Sequence, residues 1–356
     1  MSVLTAAASL LLNRLLPRVD QRIEESSKPF DRPELLRPHP GSRRWAWTHY
    51  GVFVPELPSP HRYLNTMTLI GSTGTVCFDN DYLARPDARR TATVLSSTAA
   101  PGQHHYRAYD SAAECCFAAD GGRLEWGSDL VVEAAHPTYA VHARYDAFTV
   151  DLAVTATPQV SWFVRNPAYD HLSLLATFTG TITDADGETA IDGLCTVEYA
   201  RSASPQSLRR TPLPARFKLP LDFFTYQIVN LDERTQLLLT DVRAAGATAC
   251  RLAHLRTLDG EATVFQDVRL EVVHRAEPEV DPQGREMPVP DQFRWIVRDG
   301  GEEIVSLEAI VDSPLRYGHG RGYVGAYTYS GTFRQRSVTG TGYFEWVDCE
   351  VSRVKR

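Results

Sequence analysis

The segment KLPLDFFTYQIVNLDERTQLLLTDVRAAGATACRLAHLRTL, residues 218–258, decides the predicted fold of this chain. Apolar runs bounded by turn residues predict three strands of an antiparallel meander, at residues 219–230, 235–243 and 249–258. Successive side chains of a strand point to opposite faces, so Asp222, Phe224 and Tyr226 are expected to share one face. The segment therefore predicts a sheet built from consecutive strands.

Similar short runs with alternating apolar residues continue on both sides of this segment. Before it, strands are predicted at residues 63–70, 73–78, 92–97, 106–110, 113–118, 124–134, 139–143, 148–155, 172–182 and 189–199. After it, strands are predicted at residues 262–265, 268–273, 292–297, 303–309, 323–333 and 337–348. Strands of this length and spacing are typical of antiparallel sheets that close, or nearly close, on themselves.

Two such units are predicted, because a Pro-rich stretch without periodicity, residues 204–214, interrupts the strands. A weak repeat supports the duplication, since a Gly-x-x-x-x-Glu pattern closes each half, at residues 193–198 and 340–345. The predicted fold is all-β, with two tandem antiparallel β-barrels behind an N-terminal amphipathic helix. The predicted domains are an N-terminal helix and linker, a first barrel and a second barrel, over residues 1–44, 45–210 and 211–356.

The N-terminal helix is predicted from apolar residues at helical spacing, namely Leu4, Leu11, Leu12, Leu15, Leu16, Val19 and Ile23. No basic region precedes this apolar run and no small-residue cleavage site follows it, which argues against a signal peptide. The run is also too short to span a bilayer. We expect residues 4–23 to pack on the protein body or on a second subunit, and attachment to a membrane surface is the alternative.

Composition excludes some classes of function. The chain has 356 residues, 43% hydrophobic and 23% charged, as expected for a globular protein. Its net charge of -7 argues against nucleic-acid binding, which needs a basic surface. The 6 cysteines form no Cys-x-x-Cys motif, so we expect reduced, structural thiols and a cytoplasmic protein, with a membrane-peripheral location as the alternative.

Motifs of metal and cofactor chemistry are absent from the sequence. There is no phosphate-binding glycine loop, no His-Glu-x-x-His and no Gly-x-Ser-x-Gly. The Gly-rich stretch at residues 318–322 precedes a strand rather than a helix and is interpreted as a loop. We therefore expect no metal and no cofactor. The expected partner is a hydrophobic small molecule, because the interior of a small barrel can hold one apolar ligand.

Two carboxylates in apolar strands are the candidate catalytic acids. Glu198 lies on the closing strand of the first half, and Asp222 lies on the opening strand of the second. Apolar surroundings favour the protonated form of a carboxyl group, which can then donate a proton near neutral pH. Tyr169, His171 and Tyr226 are the candidate partners. The alternative is that each acid is buried and hydrogen-bonded, and only braces the fold.

Four aromatic residues are candidates for substrate binding, Trp126, Trp162, Phe224 and Trp295. In residues 124–130, Trp126 shares its predicted face with Leu124 and Leu130. Aromatic side chains also dominate protein cores, so core packing is the alternative for both Trp126 and Trp162.

The strand LDFFTYQIVN and the following TQLLLTDVRAAG resemble the start of the second half in the lipocalin-like carotenoid 1,2-hydratase (hydroxyneurosporene synthase) family. GLCTVEYARS, residues 193–202, is similar to the end of that family's first half, and residues 322–348 are similar to its C-terminal hairpin. The matching positions in the quoted strands are Asp222, Phe224, Gln227, Leu237, Leu239 and Arg243. Aromatic positions of the family pattern hold other residues here, namely Thr196, Tyr199, Leu221 and Phe223.

This resemblance covers residues 45–348 and implies tandem lipocalin-like barrels. It also implies that water is added or removed at an isoprenoid carbon, with Glu198 at an acidic position of the family. A hydratase or dehydratase acting on a terpenoid or isoprenoid alkene or tertiary alcohol is therefore expected, without a cofactor. The alternatives are an isomerase or cyclase of the Diels-Alder type and a non-enzymatic carrier of a lipid or pigment.

Overall fold

The computed structural model describes residues 19–350. Within them the chain forms two large antiparallel sheets, one after the other along the sequence, and this confirms the predicted all-β fold of two barrel-like units. A short helix, α1 (Arg22–Ser26), precedes the first sheet. Single 3-10 turns lie at Pro33–Leu35, Ala88–Arg90, Pro205–Leu208 and Ala215–Phe217.

The first sheet is an 11-stranded meander in which the first strand pairs with the last. Its strands are β1 (Trp47–Val54), β2 (Leu64–Gly71), β3 (Thr91–Ser97), β4 (His104–Asp110), β5 (Cys115–Phe117), β6 (Arg123–Trp126), β7 (Leu130–Ala135), β8 (Thr138–Arg144), β9 (Thr149–Asn166), β10 (Tyr169–Asp184) and β11 (Gly187–Ser202). The two edge strands, β4 and β5, follow each other in the chain, so the sheet curls until its edges approach.

The second sheet repeats this plan with 10 strands, and β12 pairs with β23 as β1 pairs with β11. The strands of the second half are β12 (Leu221–Asn230), β13 (Thr235–Ala244), β14 (Ala247–Thr257), β15 (Ala262–Phe265), β16 (Asp267–Arg275), β17 (Glu279–Val280), β18 (Glu286–Met287), β19 (Pro290–Asp299), β20 (Glu302–Val311), β21 (Arg316–His319), β22 (Gly322–Phe333) and β23 (Arg336–Asp348). Only β17 and β18 lie outside the main sheet, as a separate pair.

The interior of the first sheet is filled by side chains. Trp126, Trp162 and Leu172 are each at most 1% exposed and belong to one apolar cluster inside it. A cavity of about 30 Å³ lies among these side chains, far smaller than a typical small-molecule site. A second apolar cluster fills the second sheet and continues into its contact with the first, through Phe53 and Phe163. The two sheets therefore share a packed interface.

Some predicted elements need correction. Residues 124–134 form two strands rather than one, because Gly127 has a φ of +58° and turns the chain between them. Residues 73–78 form a loop rather than a strand, held by the Asp79 carboxylate, which accepts hydrogen bonds from the Thr73 amide and the Gly74 amide, both at 3.1 Å. The stretch at residues 318–322, interpreted as a loop, carries the end of β21 and the start of β22.

Most of the predicted amphipathic helix, residues 1–18, lies outside the described residues. The described part that follows contacts both sheets: the Trp162 amide in β9 donates to Ser26 Oγ at 2.8 Å, and Arg22 Nη1 donates to the Ala249 carbonyl in β14 at 3.3 Å. Across residues 19–350 no helix combines the length and the apolar character needed to cross a membrane.

Candidate active site

A cavity of about 770 Å³ lies between the two sheets. Its walls come from β1 to β4 and β9 to β11 on one side and from β12 to β14, β21 and β23 on the other. Apolar side chains cover much of this surface, among them Phe53, Phe78, Leu95, Phe163, Phe224 and Val242. A volume of this size is typical of small-molecule sites, so the space can enclose an apolar ligand.

Strand alternation explains why this cavity lies between the sheets rather than inside one. On β1, His49 and Phe53 face the cavity, whereas Val52 and Val54 belong to the cluster inside the first sheet. On β12, Phe224 and Tyr226 face the cavity. Both faces of these strands are buried, one against the sheet interior and one against the partner sheet.

Four of the predicted catalytic residues meet at one wall of the cavity. Tyr226 Oη donates a hydrogen bond to Glu198 Oε1 at 2.5 Å, and this bond crosses from the second sheet to the first. His171 Nε2 lies 3.7 Å from Glu198 Oε2, and Tyr169 Oη lies 3.3 Å from His171 Nδ1. Glu198 is only 3% exposed. These residues form a buried acid-base cluster, which we call the Glu198 cluster.

The Tyr226 hydroxyl stays protonated in this cluster. Burial, and then the negative charge of Glu198, raise the pKa of Tyr226 well above its ordinary value. Burial raises the pKa of Tyr169 as well. Both tyrosines are therefore hydrogen-bond donors at neutral pH rather than bases.

A second acid-base cluster, absent from the sequence predictions, faces the same cavity. Glu345 on β23 accepts a hydrogen bond from Tyr343 Oη at 3.0 Å, and its other oxygen lies 3.2 Å from His319 Nε2. That nitrogen contact lacks the alignment of a hydrogen bond. We call these three residues the Glu345 cluster.

The charge states in the Glu345 cluster follow from its burial. Burial, and then the charge of Glu198, raise the pKa of the Glu345 carboxyl well above its ordinary value. Burial also lowers the pKa of His319 to about 3, and the nearby His49 and His171 add to this effect. Burial thus favours the neutral imidazole and the protonated carboxyl group, and a protonated carboxyl group carries a transferable proton.

The two clusters are related by the internal duplication. Glu198 on β11 pairs with Gly51 on β1, and Glu345 on β23 pairs with Tyr226 on β12. In each sheet the glutamate thus lies on the last long strand, where that strand pairs with the first, so the two glutamates occupy equivalent positions. The Gly-x-x-x-x-Glu repeat that ends at both glutamates was the sequence signal for Glu345. It was interpreted only as a sign of duplication.

Glycines on either side of His319 place its ring in the cavity. Gly318 and Gly320 have φ angles of +134° and +56°, and a Cβ on Gly320 would lie 2.5 Å from Phe78 Cα. The His319 ring packs between Phe78 and Phe224, with ring centroids 5.2 Å from each. The Gly-rich stretch at residues 318–322 was thus a usable signal for this histidine.

A third histidine of the cavity, His49, was not among the sequence predictions either. Its Nδ1 lies 2.7 Å from the Thr68 carbonyl oxygen, and because a carbonyl only accepts, Nδ1 carries the proton and Nε2 does not. Burial lowers the pKa of His49 to about 4, so the ring is neutral near pH 7. No motif surrounds His49, and its strand β1 was not predicted.

Of the four aromatic candidates for substrate binding, Phe224 lines the cavity between the sheets and the others lie elsewhere. Trp126 and Trp162 pack inside the first sheet, and Trp295 is wholly buried in the core of the second. Asp222 is the extra residue of a β-bulge between Leu221 and Phe223. A bulge breaks the alternation, so Leu221 rather than Asp222 faces the cavity.

Asp222 is positioned to brace a turn. Its carboxylate accepts a hydrogen bond from the Ala245 amide at 3.0 Å, and Ala245 has a φ of +53°. We expect Asp222→Asn to lower the free energy of unfolding by about 1–3 kcal/mol, because the substitution weakens a buried hydrogen bond. Turnover per folded molecule should stay at the wild-type level. Urea unfolding and activity assays on the same preparation check this, and a large loss of turnover with unchanged stability would contradict it.

In the part of the chain from residue 19 to residue 350, no group of three or more His, Cys, Asp or Glu side chains has a geometry that could hold a metal ion. All 6 cysteines are free thiols. The arrangement offers acid, base and aromatic groups around one apolar space.

Comparisons with known proteins agree with this fold. The solved structure of kievitone hydratase from Nectria haematococca is similar, with a TM-score of 0.56 at 11% identity, over 85% of this chain and 88% of that chain. At this low sequence identity, the similarity shows that the two proteins share a fold and nothing more. A Nostoc punctiforme protein of unknown function from the DUF3598 family aligns over 89% of this chain and 99% of that chain at 10% identity. Its TM-score of 0.16 is too low to indicate a shared fold.

The sequence matches no curated protein. A family model, described as a family of unknown function (DUF6670), matches residues 67–356. Since this match covers most of the chain, the protein belongs to the DUF6670 family.

Proposed function

We propose that the protein is a hydro-lyase that adds water to, or removes water from, an apolar substrate bound between the two sheets. The observation that carries this proposal is the pair of equivalent acid-base clusters, Glu198 with His171 and Glu345 with His319, on one apolar cavity. Water chemistry at an alkene needs a proton donor and a proton acceptor on the same bound molecule. The cavity supplies both.

Glu345 is the proton donor in this proposal. Burial raises its pKa and so favours the protonated carboxyl group, which is the form that can donate a proton. In the hydration direction the Glu345 proton is transferred to one alkene carbon, and the π electrons form the new C–H bond. The neighbouring carbon becomes a carbocation, and the Glu345 carboxylate remains.

Water then completes the reaction. Its oxygen forms the new C–O bond to the cation, and its proton passes to His171 or Glu198 of the Glu198 cluster. Phe53, Phe163 and Phe224 line the cavity, and aromatic faces stabilise a developing positive charge. Return of the accepted proton to Glu345 through solvent restores the starting state, and the reverse sequence is a dehydration.

The substrate class in this proposal is a terpenoid or isoprenoid alkene, or the corresponding tertiary alcohol. Support comes from the apolar cavity, from the resemblance of residues 45–348 to the carotenoid 1,2-hydratase family and from the shared fold with a protein named as a hydratase. A tertiary centre suits the chemistry, because it stabilises the cation that protonation creates.

The test is incubation with a panel of acyclic and cyclic prenylated alkenes in ¹⁸O-labelled water. We expect one product that gains one labelled oxygen, detected by mass spectrometry. A product that is an isomer of its substrate and carries no label would contradict the proposal and indicate an isomerase or cyclase. Tight binding of panel members without turnover would contradict it too, and would indicate a carrier.

A further inference from the structure

Arg256 on β14 is a buried arginine that reaches from the second sheet into the first. It is 1% exposed. Its Nη1 donates to the Ser173 carbonyl at 2.7 Å, and its Nη2 donates to Ser173 Oγ at 3.1 Å. Gln236 Oε1 accepts from Nη2 at 2.7 Å and from Nε at 3.2 Å. Arg256 Nη1 also donates a hydrogen bond to Ser161 Oγ at 3.4 Å.

All these acceptors are neutral. Within the described residues 19–350, no carboxylate lies in ion-pair contact with Arg256. A buried guanidinium without a counter-ion is costly, because the charge loses its hydration. The charge of Arg256 therefore needs a nearby negative group that it does not touch.

Glu198 lies next to the residues that Arg256 contacts. Ser173, which Arg256 holds by two hydrogen bonds, pairs directly with Glu198 across β10 and β11. Burial lowers the pKa of Arg256 to about 10, and the interaction with Tyr226 and Glu198 opposes this effect. Arg256 thus lies behind the cavity wall that carries Glu198.

The equivalent glutamate of the second sheet has different surroundings. The groups next to Glu345 are His319, whose ring is neutral near pH 7, Tyr343 and Glu198, and none of these is a cation. The duplicated acids therefore lie in opposite electrostatic environments, one with a buried cation behind it and one without.

We propose that Arg256 is a positioning residue that keeps Glu198 in its carboxylate form and so separates the roles of the two glutamates. Glu198 is then held as the proton acceptor while Glu345 remains the donor. This inference rests on the proposed function for those roles, but the charge state of Glu198 can be measured without any substrate. The other titratable groups that face Glu198 are His49 on β1, Tyr169 and His171 on β10, Tyr226 on β12, and Tyr343 and Glu345 on β23.

The experiment is infrared spectroscopy of the full-length protein near neutral pH. Subtracting the spectrum of Glu198→Gln from that of its parent isolates the Glu198 band. In the wild-type background we expect a carboxylate band. In the Arg256→Met background we expect that band to be largely lost and a protonated carboxyl band to replace it, whereas Arg256→Lys should keep the carboxylate.

Gln236→Glu provides the same test without removing the arginine. The change is nearly isosteric and places a carboxylate in direct contact with Arg256, which then has its own counter-ion. We expect this variant to fold and to lose much of the Glu198 carboxylate band, so the test stands even where Arg256→Met does not fold. A Glu198 carboxylate band that is unchanged in Gln236→Glu overturns the inference. If the Glu198 band changes as expected but no ¹⁸O is incorporated into a product, only the proposed reaction is overturned.

Discussion

Replacing Glu345 with glutamine should lower turnover by about 10²- to 10⁴-fold, because the substitution removes the transferable proton and general acid catalysis contributes a factor of that order. Glutamine keeps the volume of the side chain and can still accept the hydrogen bond from Tyr343. Substrate affinity should therefore change little, so the loss should appear in kcat rather than in KM. Steady-state kinetics on any substrate of the wild-type protein provide the measurement.

Glu198→Gln is the matched variant in the other cluster, and Asp222→Asn is the control outside the cavity. We expect Glu198→Gln to lower kcat by a similar factor, because the amide cannot accept the proton of the attacking water. Asp222→Asn should leave kcat near the wild-type level. Full activity of both cavity variants, with their stability intact, would show that neither glutamate takes part in proton transfer.

The second large effect concerns stability rather than catalysis. The folded protein raises the pKa of Glu345 above its ordinary value of 4.5. Between pH 4.5 and the folded-state pKa, the folded chain keeps a proton that the unfolded chain has lost. The stabilisation is therefore complete below pH 4.5 and declines as the pH rises, by about 1.4 kcal/mol for each pH unit, until the folded-state pKa is reached.

The Glu345→Gln variant lacks this dependence. We therefore expect the free energy of unfolding of the variant, minus that of the wild type, to increase by about 1.4 kcal/mol for each pH unit until the folded-state pKa of Glu345 is reached. Urea unfolding of both proteins between about pH 5 and pH 9 measures this difference. A difference that stays constant over this range would show that Glu345 is already ionised in the folded protein.

The buried histidines do not obscure this comparison. The pKa of His49 is lowered to about 4 and that of His319 to about 3, so both are neutral in the folded protein near pH 5. Their contribution is present above the unfolded-state pKa and is lost as the pH falls, because the unfolded chain then takes up protons. Both proteins contain both histidines, so this dependence is shared and the difference isolates Glu345.

The strands could be predicted because their signal is local. The runs at residues 219–230 and 235–243 correspond closely to β12 (Leu221–Asn230) and β13 (Thr235–Ala244), since alternation and turn residues act over a few positions. Alternation failed where the backbone departs from a regular strand. The bulge at Asp222 and the turn at Gly127 both follow from geometry that periodicity does not report.

The candidate site was predicted only in part, because its position depends on contacts between distant strands. Glu198, His171 and Tyr226 were selected from their neighbours in sequence, and the structure brings them together across the two sheets. Trp126 and Trp162 were expected inside a ligand-binding barrel, but that interior is packed. Alternation shows which side chains share a face, and it does not show whether that face meets a core or the partner sheet.

A crystal structure of Glu345→Gln with a bound tertiary alcohol would show whether the substrate lies between the two glutamates, because slow turnover should preserve the ligand. We expect the ligand to fill the cavity between the sheets, with its hydroxyl group within hydrogen-bond distance of the side chain at position 345 and its tertiary carbon facing the Glu198 cluster. A ligand bound inside either sheet, or one whose hydroxyl group lies away from both glutamates, would contradict it.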